Sequence, residues 1–521
     1  MRRYEPTASN KPKIKSLLRL SLALMAAAAV LSLAVVTDAL ARAGSHGSGP
    51  KLSSSGGSFS SSGKSTGRST GGSKTTDGGK TSNDGGERPR KPPKWRTPII
   101  GIPVIVGTGV ATPALGAINA GQGNGSQNSA AGRLLAPLRV GIPPADERRY
   151  VPDQLLVELS AAQSQVLGGL LQRHRLTQVE TLNLNGGTLA LLRISDRRSV
   201  TEVLRNLAGE GVVAWAQPNY LYTTQEQQPV IGPQSQAPAD SPQYALAKLR
   251  LPQAHEFAKG DKVLVAVIDS TIDTTHPELA GMVVESFNAL ATAEQPHDHG
   301  TAIAGAIASH AKLTGAAPQA RLLAVAAFGA KPDTAEGTTF SIAKGIDWAL
   351  AKGARIINMS FTGPTDPQIA RRIADAHKSG VVLVAAVGNA GPKSPVLYPA
   401  AYAGVIAVTA TDADDRLFKG ANQGQHIAVA APGVDILLAA PEGTYQMKTG
   451  TSFAAAEVSG VAALMLERKP ALTGEGVRQI LTTTARDLGP KGSDPQFGAG
   501  LVDAYQAVMA LNPAVATTGP K

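Results

Sequence analysis

The sequence predicts an α/β domain of three layers around a mostly parallel sheet, preceded by a small α+β domain. Three features predict it. The runs Val263–Ile268 and Val381–Val387 are continuous, apolar and rich in β-branched residues, the pattern of strands buried on both faces of a parallel sheet. Such runs alternate with helical segments. Upstream, from Tyr150 to Tyr222, shorter segments follow the order β-α-β-β-α-β of a ferredoxin-like sheet with helices on one face.

Residues 1–41 read as an export signal. Six basic residues precede an apolar run from Leu20 to Val36, and Ala39-Leu40-Ala41 is a small-residue cleavage motif. Retention of this run as a membrane anchor is the weaker alternative, because it is short for a span. Residues 42–149 read as linker, Ser/Gly-rich at first and Gly/Pro-rich later, unable to bury a core. Residues 1–41 carry net +4 and residues 42–97 net +8; the whole chain is +11, so the remainder sums to −1. The basic balance thus belongs to leader and linker, and no nucleic-acid partner is expected. Pro98–Ile118 is apolar, but its prolines and glycines argue against a membrane helix. Cysteine is absent, which excludes disulfides, thiol catalysis and cysteine-zinc sites.

In the small domain, residues 150–222, Asp153–Leu159 alternates as a strand and Gln163–His174 has helical spacing. Thr188–Ile194 reads as a strand, Ser199–Leu207 as a capped helix and Val212–Trp215 as the last strand. Residues 223–242 are a Gln/Pro-rich linker suited to proteolysis. The main domain spans 243–511, enough to bury a sizeable core, and 512–521 form a tail. Its strands are expected near Val263, Arg321, Arg355, Val381 and Val405. Helices are expected near Thr301, Phe340, Gln368 and Phe453.

Four residue types in this frame carry chemistry. Asp269 ends a buried strand, where open α/β sheets place their sites. His299 opens a helix of small residues, and Asn389 follows another buried strand. Ser452, in Gly450-Thr451-Ser452, stands in the first turn of the helix that begins near Phe453. Unpaired N–H groups there favour developing negative charge. Each also has a bland reading: Ser452 as a helix cap, His299 as a surface residue, Asp269 and Asn389 as turn residues.

Taken in order, the four resemble the subtilisin-like (subtilase) serine peptidases, whose chain order is Asp, His, Ser. The resemblance rests on Val267-Ile268-Asp269-Ser270, His299-Gly300-Thr301, Ala385-Ala386-Val387-Gly388-Asn389 and Gly450-Thr451-Ser452, and covers roughly residues 243–511. It implies a serine endopeptidase with Ser452 as nucleophile, His299 as proton carrier and Asp269 as its orienting partner. Asn389 would serve the oxyanion hole. Ser360, Phe361, Thr362 and Gly363 would pair with an extended polypeptide substrate, and Ala386, Val387 and Gly388 would line the same cleft. Residues 150–222 would be the family's propeptide, an intramolecular inhibitor. The competing class is an exported binding or surface protein on the same scaffold with weak or lost catalysis.

The chain departs from the family at four places. Thr271 stands where glycine is usual, and positive φ would suit it poorly. Ala456-Glu457 replaces Pro-His. Thr362 stands for a glycine beside the primary specificity pocket, which implies a preference for small or medium apolar residues before the scissile bond. Calcium-binding subtilisins carry an Asn-rich metal loop where this chain has only Ser309–Thr314. That calcium site is therefore expected to be missing, and no cofactor is expected for hydrolysis. The Asp412–Asp415 stretch reads as solvated loop rather than ion site. His297-Asp298-His299, read as a short strand or loop, points its side chains apart, so no metal site is expected there.

Overall fold

A computed structural model describes residues 140–184, 186–224, 243–331 and 334–511. The export signal, the linker before residue 140, the apolar stretch Pro98–Ile118, the segment 225–242 and the tail lie outside the described residues.

The small domain is an antiparallel sheet of β1 (Tyr150–Ser160), β2 (Leu176–Leu184), β3 (Gly187–Ile194) and β4 (Trp215–Thr223), in the order β4-β1-β3-β2. Leu155, Val157 and Leu159 of β1 face two helices, Leu167–His174 and Val200–Leu207, and bury Leu170, Val203, Leu204 and Leu207. The second helix starts where the sequence places it: the Ser199 side chain accepts the Glu202 N–H at 3.2 Å. The opposite face sets Leu156, Leu189 and Leu191 against Phe340 of the large domain.

Two expectations are corrected here. The last strand, expected at Val212–Trp215, runs over Trp215–Thr223, because residues 211–213 close a turn through Val213 N–H to Glu210 C=O. The linker therefore begins later than residue 223. β2 was not placed from the sequence, although its burial alternates as an edge strand should.

The large domain contains β5 (Leu264–Ser270), β6 (Val283–Asn288), β7 (Arg321–Lys331), β8 (Thr334–Thr338), β9 (Ile356–Met359), β10 (Val382–Ala386), β11 (Val405–Thr411) and β12 (Ile427–Pro432). β12-β11-β10-β9-β5-β7 are parallel neighbours, β6 adds to β7, and β8 folds back antiparallel on β7. Period-2 alternation divides β5 between two cores. Val265 and Val267 face the helices Asp298–Ala308 and Thr451–Arg468, whereas Ala266 and Ile268 face Thr339–Ala351 and Pro367–Lys378. Each fully buried Val, Leu or Ile contributes about 1.5–3 kcal/mol, so both layers are anchored to the strand that ends in Asp269. β4 joins β8 antiparallel, and the two domains share one continuous sheet.

The loop after the His299 helix is closed by a carboxylate. Glu278 is fully buried and accepts the N–H groups of Ala311 at 2.9 Å, Lys312 at 2.8 Å and Leu313 at 3.0 Å, and the Tyr445 hydroxyl at 3.0 Å. Burial alone would raise its carboxyl. The amides and the phenol outweigh that and hold it below the usual glutamate range. Donors converge on both oxygens, so these residues do not fit a calcium ion, which requires acceptors turned inward.

Glu278→Gln removes this charge and puts an amide NH2 against N–H donors. Thermal melts of the variant should show a loss of about 2 kcal/mol at neutral pH. The carboxylate's contribution is present above the ordinary glutamate pKa, about 4.3. It is lost as pH falls through the lowered folded value. The two chains should therefore converge in stability as pH falls below about 4; a gap that persists in acid refutes the charge's role.

Candidate active site

Asp269 sits at the carboxyl end of β5 with no exposed side-chain area. Its Oδ1 accepts from Ser270 N–H at 2.7 Å, from Ser270 Oγ–H at 3.1 Å, and lies 2.7 Å from His299 Nδ1. His299 is equally buried, in the first turn of the helix Asp298–Ala308. That helix must approach β5 closely. A Cβ on Gly300 would lie 2.3 Å from the Ser270 carbonyl oxygen, so glycine is required there for His299 to reach Asp269. Thr271 does not adopt positive φ, and the substitution of a β-branched residue is unstrained.

His297-Asp298-His299 is not a short strand or loop, as expected, but a helix start. The His297 side chain accepts the His299 N–H at 3.2 Å as the cap, and Asp298 pairs with Lys448 at 3.2 Å. Asp412–Asp415 is tied within the domain, Asp415 to Lys248 and Arg486, each at 2.9 Å.

Ser452 is the second residue of the helix Thr451–Arg468, and it is not the cap. The cap position is Gly450, whose backbone is extended. Ser452 Oγ–H donates to the Ser360 carbonyl at 3.2 Å, and Ser360 Oγ–H donates back to the Ser452 carbonyl at 2.9 Å. Asn358 supports Ser360 through its Nδ2 at 2.9 Å, and Ser459, two turns along the Ser452 helix, donates to Asn358 Oδ1 at 2.9 Å. The Phe453 ring packs on the His299 ring with centroids 5.8 Å apart, which sets the imidazole beside the start of the Ser452 helix.

Asn389 is joined to the same helix. Its Oδ1 accepts the Thr451 N–H at 3.0 Å and the Thr451 hydroxyl at 2.8 Å, so the amide's NH2 is its donating end. Gly388, at φ +107°, donates its N–H to Thr451 Oγ1 at 3.1 Å. Val387 N–H bonds to the Val408 carbonyl and its carbonyl to Asn422 Nδ2, while Ala386 is buried in the sheet. The two segments expected to line a cleft thus behave differently: Thr362 offers both backbone groups to an added strand, whereas Val387 spends its own within the fold. The added strand is β4. Thr223 and Thr362 exchange two hydrogen bonds of 3.0 Å.

One residue of consequence, Asp366, was not singled out from the sequence, and another, Glu457, was noted there only as a departure from the family. Asp366 caps the helix Pro367–Lys378 at Gln368 N–H, 2.9 Å, and also accepts from Gln217 Nε2 of the small domain. Glu457 is 4% exposed, and its Oε2 has no hydrogen-bond partner among the described residues. Burial pushes its carboxyl up to about 8.

Residues 260–500 match the subtilase family, and residues 139–219 match the fervidolysin N-terminal prodomain. Subtilisin E of Bacillus subtilis (strain 168) is 37% identical over 284 residues, which span 52% of this chain and 72% of that protein. Subtilisin of Bacillus pumilus is 37% identical over 284 residues, 52% of this chain and 100% of its own length. Thermitase of Thermoactinomyces vulgaris is 34% identical over 277 residues, 52% of this chain and 96% of its own. Among solved structures, fervidolysin from Fervidobacterium pennivorans, described as a keratinolytic enzyme related to subtilisin, superposes with a TM-score of 0.62 at 25% identity. That match covers 73% of this chain and spans 64% of the fervidolysin chain.

Glu457 gives the site a testable signature. Between the ordinary glutamate pKa of about 4.3 and about 8, the folded chain holds a proton that the unfolded chain has lost. Its contribution to stability therefore falls as pH rises through that window. Glu457→Gln should be near-neutral at pH 4 and stabilising by about 2 kcal/mol or more at pH 8, read from denaturant melts. Equal melts at both pH values would show that the carboxyl ionises freely in the folded state.

Proposed function

The chain belongs to the subtilase family of serine endopeptidases and carries an N-terminal prodomain, and from that premise we propose that Asp269, His299 and Ser452 are its catalytic triad. One distance supports this above all: the 2.7 Å between His299 Nδ1 and Asp269 Oδ1, buried beside the helix that presents Ser452. Asp269 fixes the tautomer that leaves Nε2 to act as base. Ser452 Oγ attacks the scissile carbonyl as its proton passes to His299. The C–N bond then breaks, and His299 returns the proton to the leaving amine. Water hydrolyses the acyl-enzyme by the same steps in reverse order. The Asn389 NH2 and the Ser452 N–H hold the oxyanion. These groups supply nucleophile, proton carrier and anion donors, so the reaction calls on no cofactor. The clasp at Glu278 supports a loop that holds its shape without calcium.

The chain acts on polypeptides as an exported protein. Residues 1–41 carry the leader pattern, and among the described residues no helix is long and apolar enough to cross a membrane. It is made as an inhibited precursor, because β4 of the prodomain occupies both edges that an extended substrate would use. Thr362 narrows the pocket before the scissile bond and favours small or medium apolar residues there. A library profile dominated by Phe or Tyr at that position would contradict this.

A fluorophosphonate probe should label the processed chain at Ser452, and Ser452→Ala should abolish both labelling and self-processing. Unlabelled Ser452 after prodomain removal would instead favour a binding protein on this scaffold. Asn389→Ala should lower kcat by roughly 100- to 1000-fold with a much smaller change in KM, since the amide acts on charge that forms in the transition state.

A further inference from the structure

We propose that Asp366 selects substrates with tyrosine at the fourth residue before the scissile bond. The proposal deepens the proteolytic reading above and rests on it. Its starting point is the way β4 lies in the cleft. Thr223 exchanges two hydrogen bonds of 3.0 Å with Thr362, and Thr224 N–H donates to the Ala335 carbonyl of β8 at 3.0 Å. Ser360, whose carbonyl receives Ser452 Oγ–H, precedes Thr362 by two residues. In an antiparallel pairing, the peptide residue facing Ser360 comes two after the one facing Thr362. If the serine attacks the carbonyl of the former, the position held by Tyr222 is the fourth before the cut.

The Tyr222 side chain is fully buried in a slot made for a flat ring. A Cβ on Gly363 would lie 2.4 Å from the tyrosine ring, so any larger residue there would fill the slot. Phe361 meets the ring edge-on, with centroids 5.8 Å apart and planes at 90°. At the end of the slot the tyrosine hydroxyl donates to Asp366 Oδ2 at 3.1 Å. Asp366 is itself fully buried and also accepts from Thr339 Oγ1 at 2.6 Å and from Gln217 Nε2 at 2.7 Å.

Two of these donors, Gln217 and Tyr222, leave with the prodomain. Thr339 and the helix amides at Gln368 and Ile369 remain. The vacated slot then ends in a carboxylate that has lost two of its hydrogen bonds. Burial already pushes the Asp366 carboxyl up against all its donors, so each donor lost is felt. A phenol fills the slot and restores one bond. Phenylalanine fills the slot and restores none. Lysine brings charge without the ring that the slot fits.

The test compares peptides that differ only at the fourth residue before the cut, with tyrosine, phenylalanine, alanine or lysine there, cleaved by the full chain after self-processing. The tyrosine peptide should exceed the phenylalanine peptide roughly 10-fold or more in kcat/KM, as a hydrogen bond to a charged group requires. Asp366→Asn should bring that ratio to within roughly 3-fold. Loss of a merely structural cap would slow both peptides alike and leave the ratio standing, which would overturn the proposal. So would equal cleavage of the two peptides by the unaltered chain, or a preference for lysine. Casein hydrolysis by the same preparation separates the two levels: no casein hydrolysis sinks the proteolytic reading and this one with it, whereas hydrolysis without tyrosine preference sinks this one alone. A second measurement needs no turnover. In the Ser452→Ala full chain, Tyr222→Phe and Asp366→Asn should each lower the melting temperature, and the double variant should lose clearly less than the sum. Additive losses would show that hydroxyl and carboxylate are not coupled.

Discussion

A carboxylate at the end of a strand that is buried on both faces must be satisfied by what surrounds it, and the organisation of this fold follows from how Asp269 is satisfied. Leaving such a charge unpaired costs several kcal/mol. Ser270 supplies two donors from the same strand end, and His299 supplies the third group. For His299 to arrive, its helix must touch the backbone of β5, which only Gly300 allows. For the helix to stay there, it must pack on a second helix, and that helix starts with Thr451 and Ser452. The position of Ser452 is therefore a consequence of the same packing that keeps the carboxylate paired.

Buried carboxylates recur through the molecule, and their partners explain their different behaviour. Glu278 is surrounded by backbone N–H groups that cannot leave without unfolding the loop, so its carboxyl is held below the usual glutamate range. Asp366 draws part of its donor set from the prodomain, so its environment depends on whether that domain is present. Glu457 has burial without compensating donors on Oε2, and it holds its proton instead. Structural, exchangeable and neutral carboxyl groups are thus distinguished by who supplies the N–H or O–H, not by depth alone.

What was legible in the sequence was what local pattern and motif order encode. Strands buried on both faces read as apolar runs, and β5, β7, β9, β10 and β11 lie where expected. Asp269 and Asn389 were read from where two of those runs end, and His299 and Ser452 from helix starts. β4 was misplaced for a definite reason. Pro218 interrupts its pattern and removes a ladder donor, which ordinarily marks the end of a strand. The chain tolerates it because β4 changes partners, from β1 to β8, just beyond that proline. β8 itself, Thr-Ala-Glu-Gly-Thr, has too little apolar character to be read as a strand. Asp366 was not singled out, because its role beyond the helix cap depends on Gln217 and Tyr222, which lie about 150 residues earlier.

β4 also resolves a problem that its own removal creates. Strand edges with unpaired N–H and C=O groups invite pairing with other chains, and compact proteins usually blunt them. Here β8 and the Thr362 segment present two such edges facing one another, with β4 between them. In the precursor both are covered by a strand that belongs to the same polypeptide, so folding proceeds with no exposed edge at the cleft. Once that strand leaves, the two edges can be paired again only by another extended chain. On the proposed reading, the main-chain hydrogen bonds that fix the prodomain are those that would fix a substrate, and they carry no preference of their own. Discrimination must come from the side-chain slots between the edges. The slot that Tyr222 vacates is closed by Gly363, Phe361 and Asp366, and of these only Asp366 carries a charge whose hydrogen bonds leave with the prodomain.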